Sequence, residues 1–189
     1  MDHFLITLVM TLVAEMGDRT QWLLAVLLLR YHRSLPVLAG FVLATMVNCA
    51  LAAAAGDFSR QLLAGPALLM FQAMAVIFAA AAMLWRRGKL DRLEGWRLPA
   101  FATAFLGCLI LEFGDKSQFI VLAASANSGT PVLTWLGGVI GITVAAIPAF
   151  ALPRWVEGTQ PFAWLRIAGG VVFGLLGVIL LIRVAAIVV

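Results

Sequence analysis

A chain of 189 residues that is 63% hydrophobic and 12% charged, with a mean hydropathy of +1.06, carries more apolar surface than a water-soluble domain of its size can bury. The solvent for most of it is lipid, and its formal charge of +4 lies in short loops between apolar runs, where headgroups and topology account for it better than nucleic acid does. Its two cysteines, Cys49 and Cys108, sit inside apolar runs with no metal-binding spacing, which argues against a disulfide framework.

In chain order, six hydrophobic segments stand out: about Phe4–Leu29, Leu35–Ala55, Ala67–Trp85, Pro99–Ala124, Pro131–Leu152 and Ala163–Ile182. Each approaches or exceeds the ~20 residues a helix needs to cross ~30 Å of hydrocarbon. The first begins after Met-Asp-His, without the basic start or small-x-small cleavage site of a secretory signal, so it is expected to be retained. Punctuation falls at Arg30–Ser34, Gly56-Asp57, Gly65-Pro66, the polar stretch Arg86–Arg97, Ser128–Pro131 and Pro153–Pro161. Arg30, Arg33, Arg86, Arg87, Lys89, Arg92, Arg97, Arg154 and Arg166 collect on one side and only Arg60 and Arg183 on the other. The positive-inside rule puts the larger group in the cytoplasm and both termini outside. Asp91 and Glu94 are then solvated partners for the bases of a cytoplasmic central loop. The tryptophans mostly flank segments, as an interfacial belt does, with Trp22 set deeper.

The first and fourth segments carry charges where none is cheap. Glu15-Met16-Gly17-Asp18-Arg19-Thr20-Gln21 returns as Glu112-Phe113-Gly114-Asp115-Lys116-Ser117-Gln118. An isolated charge at a helix centre costs roughly 3 kcal/mol on insertion scales, so six of them facing lipid would cost on the order of 15–20 kcal/mol. They must face one another, water or an ion. The same shift that superposes the motifs pairs Phe4 with Phe101, Leu12 with Leu109, Gly40 with Gly137 and Val42 with Val139. Three helices per half is an odd number, so the halves enter the membrane from opposite sides. The expected fold is therefore an all-α polytopic membrane protein, six transmembrane helices as two inverted three-helix repeats, with residues 1–86 and 99–189 as the repeats and 87–98 as the cytoplasmic linker. Such repeats place a transport site at their interface near the midplane.

On a continuous helix Glu15, Asp18 and Arg19 share a face, as do Glu112, Asp115 and Lys116. The glycine between the acids either admits a close neighbour or lets the helix unwind and offer carbonyls. Joined, the motifs supply four carboxylates and two cations, a net charge of −2 that one divalent cation or two protons would neutralise. Carboxylate, hydroxyl, amide and backbone oxygens suit Ca²⁺, Mg²⁺ or Mn²⁺, whereas zinc or copper would want His or Cys, and His3 and His32 lie at or beyond membrane ends. A single such motif could be a structural ion pair that locks helix packing; two copies in inverted halves weigh against that. Thr45 and Asn48 either line the path or make packing hydrogen bonds. Gly137-x-x-x-Gly141 and Gly170-x-x-x-Gly174 read as close-packing faces, and Cys108 as a small buried hydrophobe.

The doubled E-x-G-D-(K/R)-(S/T), complete in both copies as EMGDRT and EFGDKS, resembles the signature of the Gdt-type cation/proton antiporter family, bacterial members of which export manganese. The resemblance covers the whole chain and implies transport of Mn²⁺ or Ca²⁺ as substrate against protons, with no prosthetic group and no enzymatic activity. Glu15, Asp18, Glu112 and Asp115 are then the expected cation ligands, the glutamates carrying protons, and Arg19, Thr20, Gln21, Lys116, Ser117 and Gln118 the supporting shell. It also implies a bacterial inner membrane, with periplasmic termini; homo-oligomerisation is compatible with it. The rival readings are an exporter of small organic solutes such as cationic amino acids, a non-transporting assembly factor, and an intramembrane hydrolase, the last lacking His ligands in the helices.

Overall fold

In the computed structural model, residues 1–85, 91–159 and 163–188 are described. Arg86, Arg87 and Lys89, three of the bases that orient the chain in the membrane, lie outside the described residues, as does Pro161. The architecture is all-helical, with no strand among the described residues: α1 (Asp2–Glu15), α2 (Arg19–Tyr31), α3 (Ser34–Leu62), α4 (Pro66–Leu84), α5 (Ala100–Glu112), α6 (Lys116–Ser128), α7 (Pro131–Ala145), α8 (Ile147–Ala151), α9 (Pro153–Thr159) and α10 (Ala163–Val188).

Among the described residues, four stretches are long and apolar enough to cross a membrane as they stand: Ser34–Leu62, Pro66–Leu84, Pro131–Ala151 and Trp164–Ile187. The first and fourth expected segments are not continuous helices. Each is two half-helices, α1 with α2 and α5 with α6, of 13 or 14 residues. At ~1.5 Å per residue a half-helix reaches only ~20 Å, short of the hydrocarbon thickness. The break has a local cause. Gly17 and Gly114 adopt φ of 76° and 71°, a left-handed backbone that glycine enters without a Cβ clash. Asp18 and Asp115 follow in extended conformation as the N-cap residues of α2 and α6. The punctuation expected over Pro153–Pro161 is in part helical, because Pro153 opens α9 at the position where a missing N–H costs nothing.

The 97-residue shift of the motifs carries over to the element bounds. Adding 97 to the bounds of α2 (19–31) and α3 (34–62) gives 116–128, which is α6, and 131–159, which is the combined run of α7, α8 and α9. The packing repeats as well. A Cβ on Gly40 of α3 would collide with the carbonyl oxygen of Phe101 and lie 3.1 Å from Ala104 Cβ on α5; one on Gly137 of α7 would lie 2.5 Å from the carbonyl oxygen of Phe4 and 3.2 Å from Thr7 Cβ on α1. Helix α3 thus crosses α5, and α7 crosses α1, each by way of a glycine. Gly141 continues the second crossing against Leu8 and Thr11, so the Gly137-x-x-x-Gly141 face is a close-packing face.

Two apolar cores flank these crossings. One holds Leu24, Leu27, Phe41, Cys108, Val121 and Ile142, and the other Ala14, Val76, Ala79, Met83, Ile120 and Phe173. Helices α4 and α10 pair along their length, and α10 turns Ile167, Val171, Leu175, Ile179 and Ile182 outward, as a lipid-facing helix does. Between α4 and α5, residues 91–98 fold back across the end of α2. Arg30 donates to the carbonyls of Leu93 (2.5 Å) and Trp96 (2.6 Å), and Tyr31 Oη to that of Leu98 (2.9 Å). Asp91 accepts the Leu93 N–H at 3.0 Å, while Arg92 pairs with Glu157 at 2.8 Å and lies 5.7 Å from the centre of the Trp22 ring.

Candidate cation site

Both breaks meet in the interior. Glu15 and Glu112 end α1 and α5; Asp18 and Asp115 begin the second half of each pair. All four carboxyl side chains are buried, as are Thr20, Gln21, Lys116 and Ser117, whereas Gln118 and Arg19 are only half-buried. The turn that replaces helix is made the same way twice. The Asp18 N–H donates to Glu15 O (3.2 Å) and the Asp115 N–H to Glu112 O (3.1 Å). One turn into the second half-helix a glutamine reaches back: Gln21 Oε1 accepts the Gly17 N–H at 3.0 Å and Gln118 Oε1 the Gly114 N–H at 2.8 Å. A backbone donor freed by a break inside a membrane needs such a partner, since lipid offers none. Gln21 also donates through Nε2 to the carbonyl of Ala145, tying the first motif to the end of α7.

Electrostatically the centre is Lys116. Its Nζ lies 2.9 Å from Glu15 Oε1, 2.5 Å from Asp18 Oδ2 and 3.3 Å from Asp115 Oδ2, so one ammonium from the second motif serves three carboxylates, two of them from the first. Glu112, the fourth acid, takes the Thr20 hydroxyl on Oε1 and the Ser117 hydroxyl on Oε2, the latter at 3.1 Å. Thr20 and Ser117 are repeat-related, and both converge on one carboxylate. Glu15 is served differently. Among the described residues neither of its buried oxygens accepts a hydrogen bond, although Lys116 Nζ lies 2.9 Å from Oε1. Oxygens of Glu15, Glu112 and Asp115 lie within 4.8 Å of one another, close to the ~4–5 Å that separates opposite ligands around a cation bound at 2.0–2.6 Å. A cleft that adjoins Glu15, lined also by Thr20, Gln21, Phe41, Ile142, Ala145 and Ala146, has no room for a water molecule.

The structure therefore brings together Glu15, Asp18, Thr20, Glu112, Asp115, Lys116 and Ser117. It does not bring in Arg19, whose Nε is buried without a hydrogen-bond partner and which makes no ion pair among the described residues. The compact cluster is four carboxyls and one ammonium, formally −3 when all are ionised, rather than the −2 counted with both bases. Asn48 donates to Leu109 O at 3.2 Å, a link between α3 and α5, while Asn48 Oδ1 and Thr45 Oγ1 have no hydrogen-bond partner among the described residues. Cys108 is fully buried in the apolar core. Sequence reasoning missed the capping role of the glutamines, although an Asp followed by Arg-Thr-Gln is an N-cap pattern that marks a helix start.

The fold and this site define a multi-pass helical membrane protein with a buried acidic centre at two helix breaks, an arrangement that suits a cation carrier. The sequence profile of the family described as "Divalent cation/proton antiporter GDT1" matches residues 3–91 and 100–187, and the chain belongs to that family, a family of transporters rather than enzymes. It is 29% identical over 170 residues to a Vibrio cholerae protein named "Putative manganese exporter", covering 88% of this chain and 84% of that protein. No solved structure matches it.

Proposed function

We propose that this chain exports Mn²⁺, with Ca²⁺ as its second substrate, in exchange for H⁺, and that the two motifs form one cation site between inverted repeats. The observation that carries this reading is the convergence of all four motif carboxyls, from both halves, on one buried point. Glu15, Asp18, Glu112 and Asp115 hold the metal. The glutamates carry protons on the return, because the oxygens that release a divalent ion in a dry interior need positive charge from another source. Thr20 and Ser117 orient Glu112, and Gln21 and Gln118 keep the breaks closed.

In this reading α1 with α2, and α5 with α6, each cross the membrane as one broken span, giving six crossings. Residues 1–86 and 99–189 are the repeats and 87–98 the cytoplasmic linker, with both termini on the periplasmic side of a bacterial inner membrane. The matching element bounds and the paired Gly40 and Gly137 crossings support the repeat. Discontinuous helices facing each other at the midplane are how secondary transporters expose backbone and acids to an ion without exposing them to lipid. The relative's name favours Mn²⁺, and the all-oxygen donor set admits Mn²⁺ and Ca²⁺ alike.

The test is transport by purified protein in proteoliposomes that enclose a pH-sensitive dye, with Mn²⁺, Ca²⁺ and Mg²⁺ supplied in turn. Metal uptake coupled to proton movement in the opposite direction, strongest for Mn²⁺ and lost in Glu112→Gln, is expected. Metal flux without proton flux would remove the exchange, and no flux of any of the three ions would remove the function.

A further inference from the structure

We propose that Lys116 is a tethered competitor of the transported cation: its ammonium occupies the carboxylates of the site and has to leave them before a divalent ion is held there. The inference rests on the cation site proposed above and adds what regulates its occupancy. Three observations carry it. First, Lys116 is among the most buried side chains of the protein, 1% exposed, and its Nζ touches oxygens of Glu15, Asp18 and Asp115. Two of those residues, Glu15 and Asp115, also belong to the trio whose oxygens come within 4.8 Å of one another. Second, the ammonium lies 2.9 Å from Glu15 Oε1 and 3.3 Å from Asp115 Oδ2, so a metal drawn to those oxygens meets a cation already seated on them. An ammonium and a divalent ion sharing two carboxylates in a dry interior would repel strongly. Third, the two motif bases are not equivalent. Arg19 occupies the repeat-related position, is half-buried and forms no ion pair among the described residues, so of the two motif bases it is Lys116 that sits on these oxygens.

A built-in cation gives an acidic site a defined state without metal. The four acids do not stand bare in the membrane when cargo has left, and the tether makes the substitute's local concentration independent of the medium. The same device sets a threshold, because cargo must outcompete a partner that never diffuses away.

Two measurements test this on the full-length protein in detergent. The first is Mn²⁺ affinity by calorimetry for wild type, Lys116→Gln, Lys116→Arg and Arg19→Gln. Lys116→Gln is expected to bind Mn²⁺ about tenfold more tightly than wild type or more, Lys116→Arg no more tightly, and Arg19→Gln to change far less than Lys116→Gln. The second needs no variant that must fold: reductive methylation of wild type with and without saturating Mn²⁺, read by mass spectrometry. The chain has two lysines, so Lys89 serves as the internal reference. Methylation of Lys116 relative to Lys89 is expected to rise with Mn²⁺. Folded Lys116→Gln that binds Mn²⁺ no better than wild type would overturn the proposal, as would Lys116 labelling that stays level or falls. Absence of Mn²⁺ binding by every protein, wild type included, would overturn the proposed cation site and this inference with it.

Discussion

Alanine at Gly40 or Gly137 tests whether the crossings between the halves hold the site in place. A Cβ at Gly137 would stand 2.5 Å from the carbonyl oxygen of Phe4, where carbon–oxygen contacts settle at about 3.3 Å, so α7 and α1 must part by about 0.8 Å. The opposing atoms are backbone and cannot swing aside. Overpacking of this kind costs about 2–3 kcal/mol, offset by the ~1 kcal/mol that alanine gains over glycine inside a helix. The net destabilisation is about 1–2 kcal/mol, and at about 2–4 °C per kcal/mol the unfolding midpoint falls by roughly 2–8 °C. Gly40→Ala meets the same clash with Phe101 on α5, with Phe105 N at 2.9 Å, and should cost a similar amount. Because α1 and α5 end in Glu15 and Glu112, both substitutions also displace a site carboxylate, and transport should fall with stability. The assay is thermal unfolding in detergent together with proteoliposome flux, with Gly95→Ala as the control, since nothing lies within 4 Å of a Cβ there. Midpoints for Gly40→Ala and Gly137→Ala no lower than the control would refute the close crossings. A large effect at one glycine and none at the other would refute the repeat relation between them.

Glu15→Gln and Glu112→Gln should each abolish Mn²⁺ flux while the protein still elutes as a monodisperse peak; full flux in either would remove that residue from the site. Thr20→Val keeps the shape of the side chain and deletes the hydroxyl that crosses from one motif to Glu112. A hydrogen bond to a charged group contributes ~1.5–3 kcal/mol, so a loss of about tenfold or more in Mn²⁺ affinity is expected by calorimetry, and unchanged affinity would deny Thr20 a part in orienting Glu112. Arg30→Ala removes the donor to the carbonyls of Leu93 and Trp96; hydrogen exchange over residues 93–98 should accelerate while that of α3 stays as it was, and unaltered protection would show that other contacts hold the segment.

Much of the site is legible in the chain itself. Charges inside apolar runs have few places to go, which is why Glu15, Asp18, Glu112 and Asp115 stand out from sequence alone. The doubling of the motif can be read because Glu, Gly, Asp and Gln recur at one fixed shift, and Gly40 with Gly137 recur at the same one. Helix continuity cannot be read as safely. Hydropathy sees Phe4–Leu29 as one run, and only the left-handed Gly17 followed by an Asp in N-cap position divides it. The division between Lys116 and Arg19 has no signature at all. Both motifs carry a base at the matching position, Arg19 and Lys116, and which of them reaches the carboxylates depends on how the helices pack. The strap held by Arg30 is hidden for the same reason: a lone arginine after an apolar run reads as topology, and its carbonyl partners lie more than sixty residues away in sequence.

The most direct test of the central claim is a structure of the protein with Mn²⁺ bound, in which anomalous scattering at the manganese edge locates the ion. A single peak coordinated by carboxylate oxygens from both motifs, Glu15 and Asp18 from the first and Glu112 and Asp115 from the second, is the expected result. A peak bound by one motif alone, or one away from both helix breaks, would contradict a shared site.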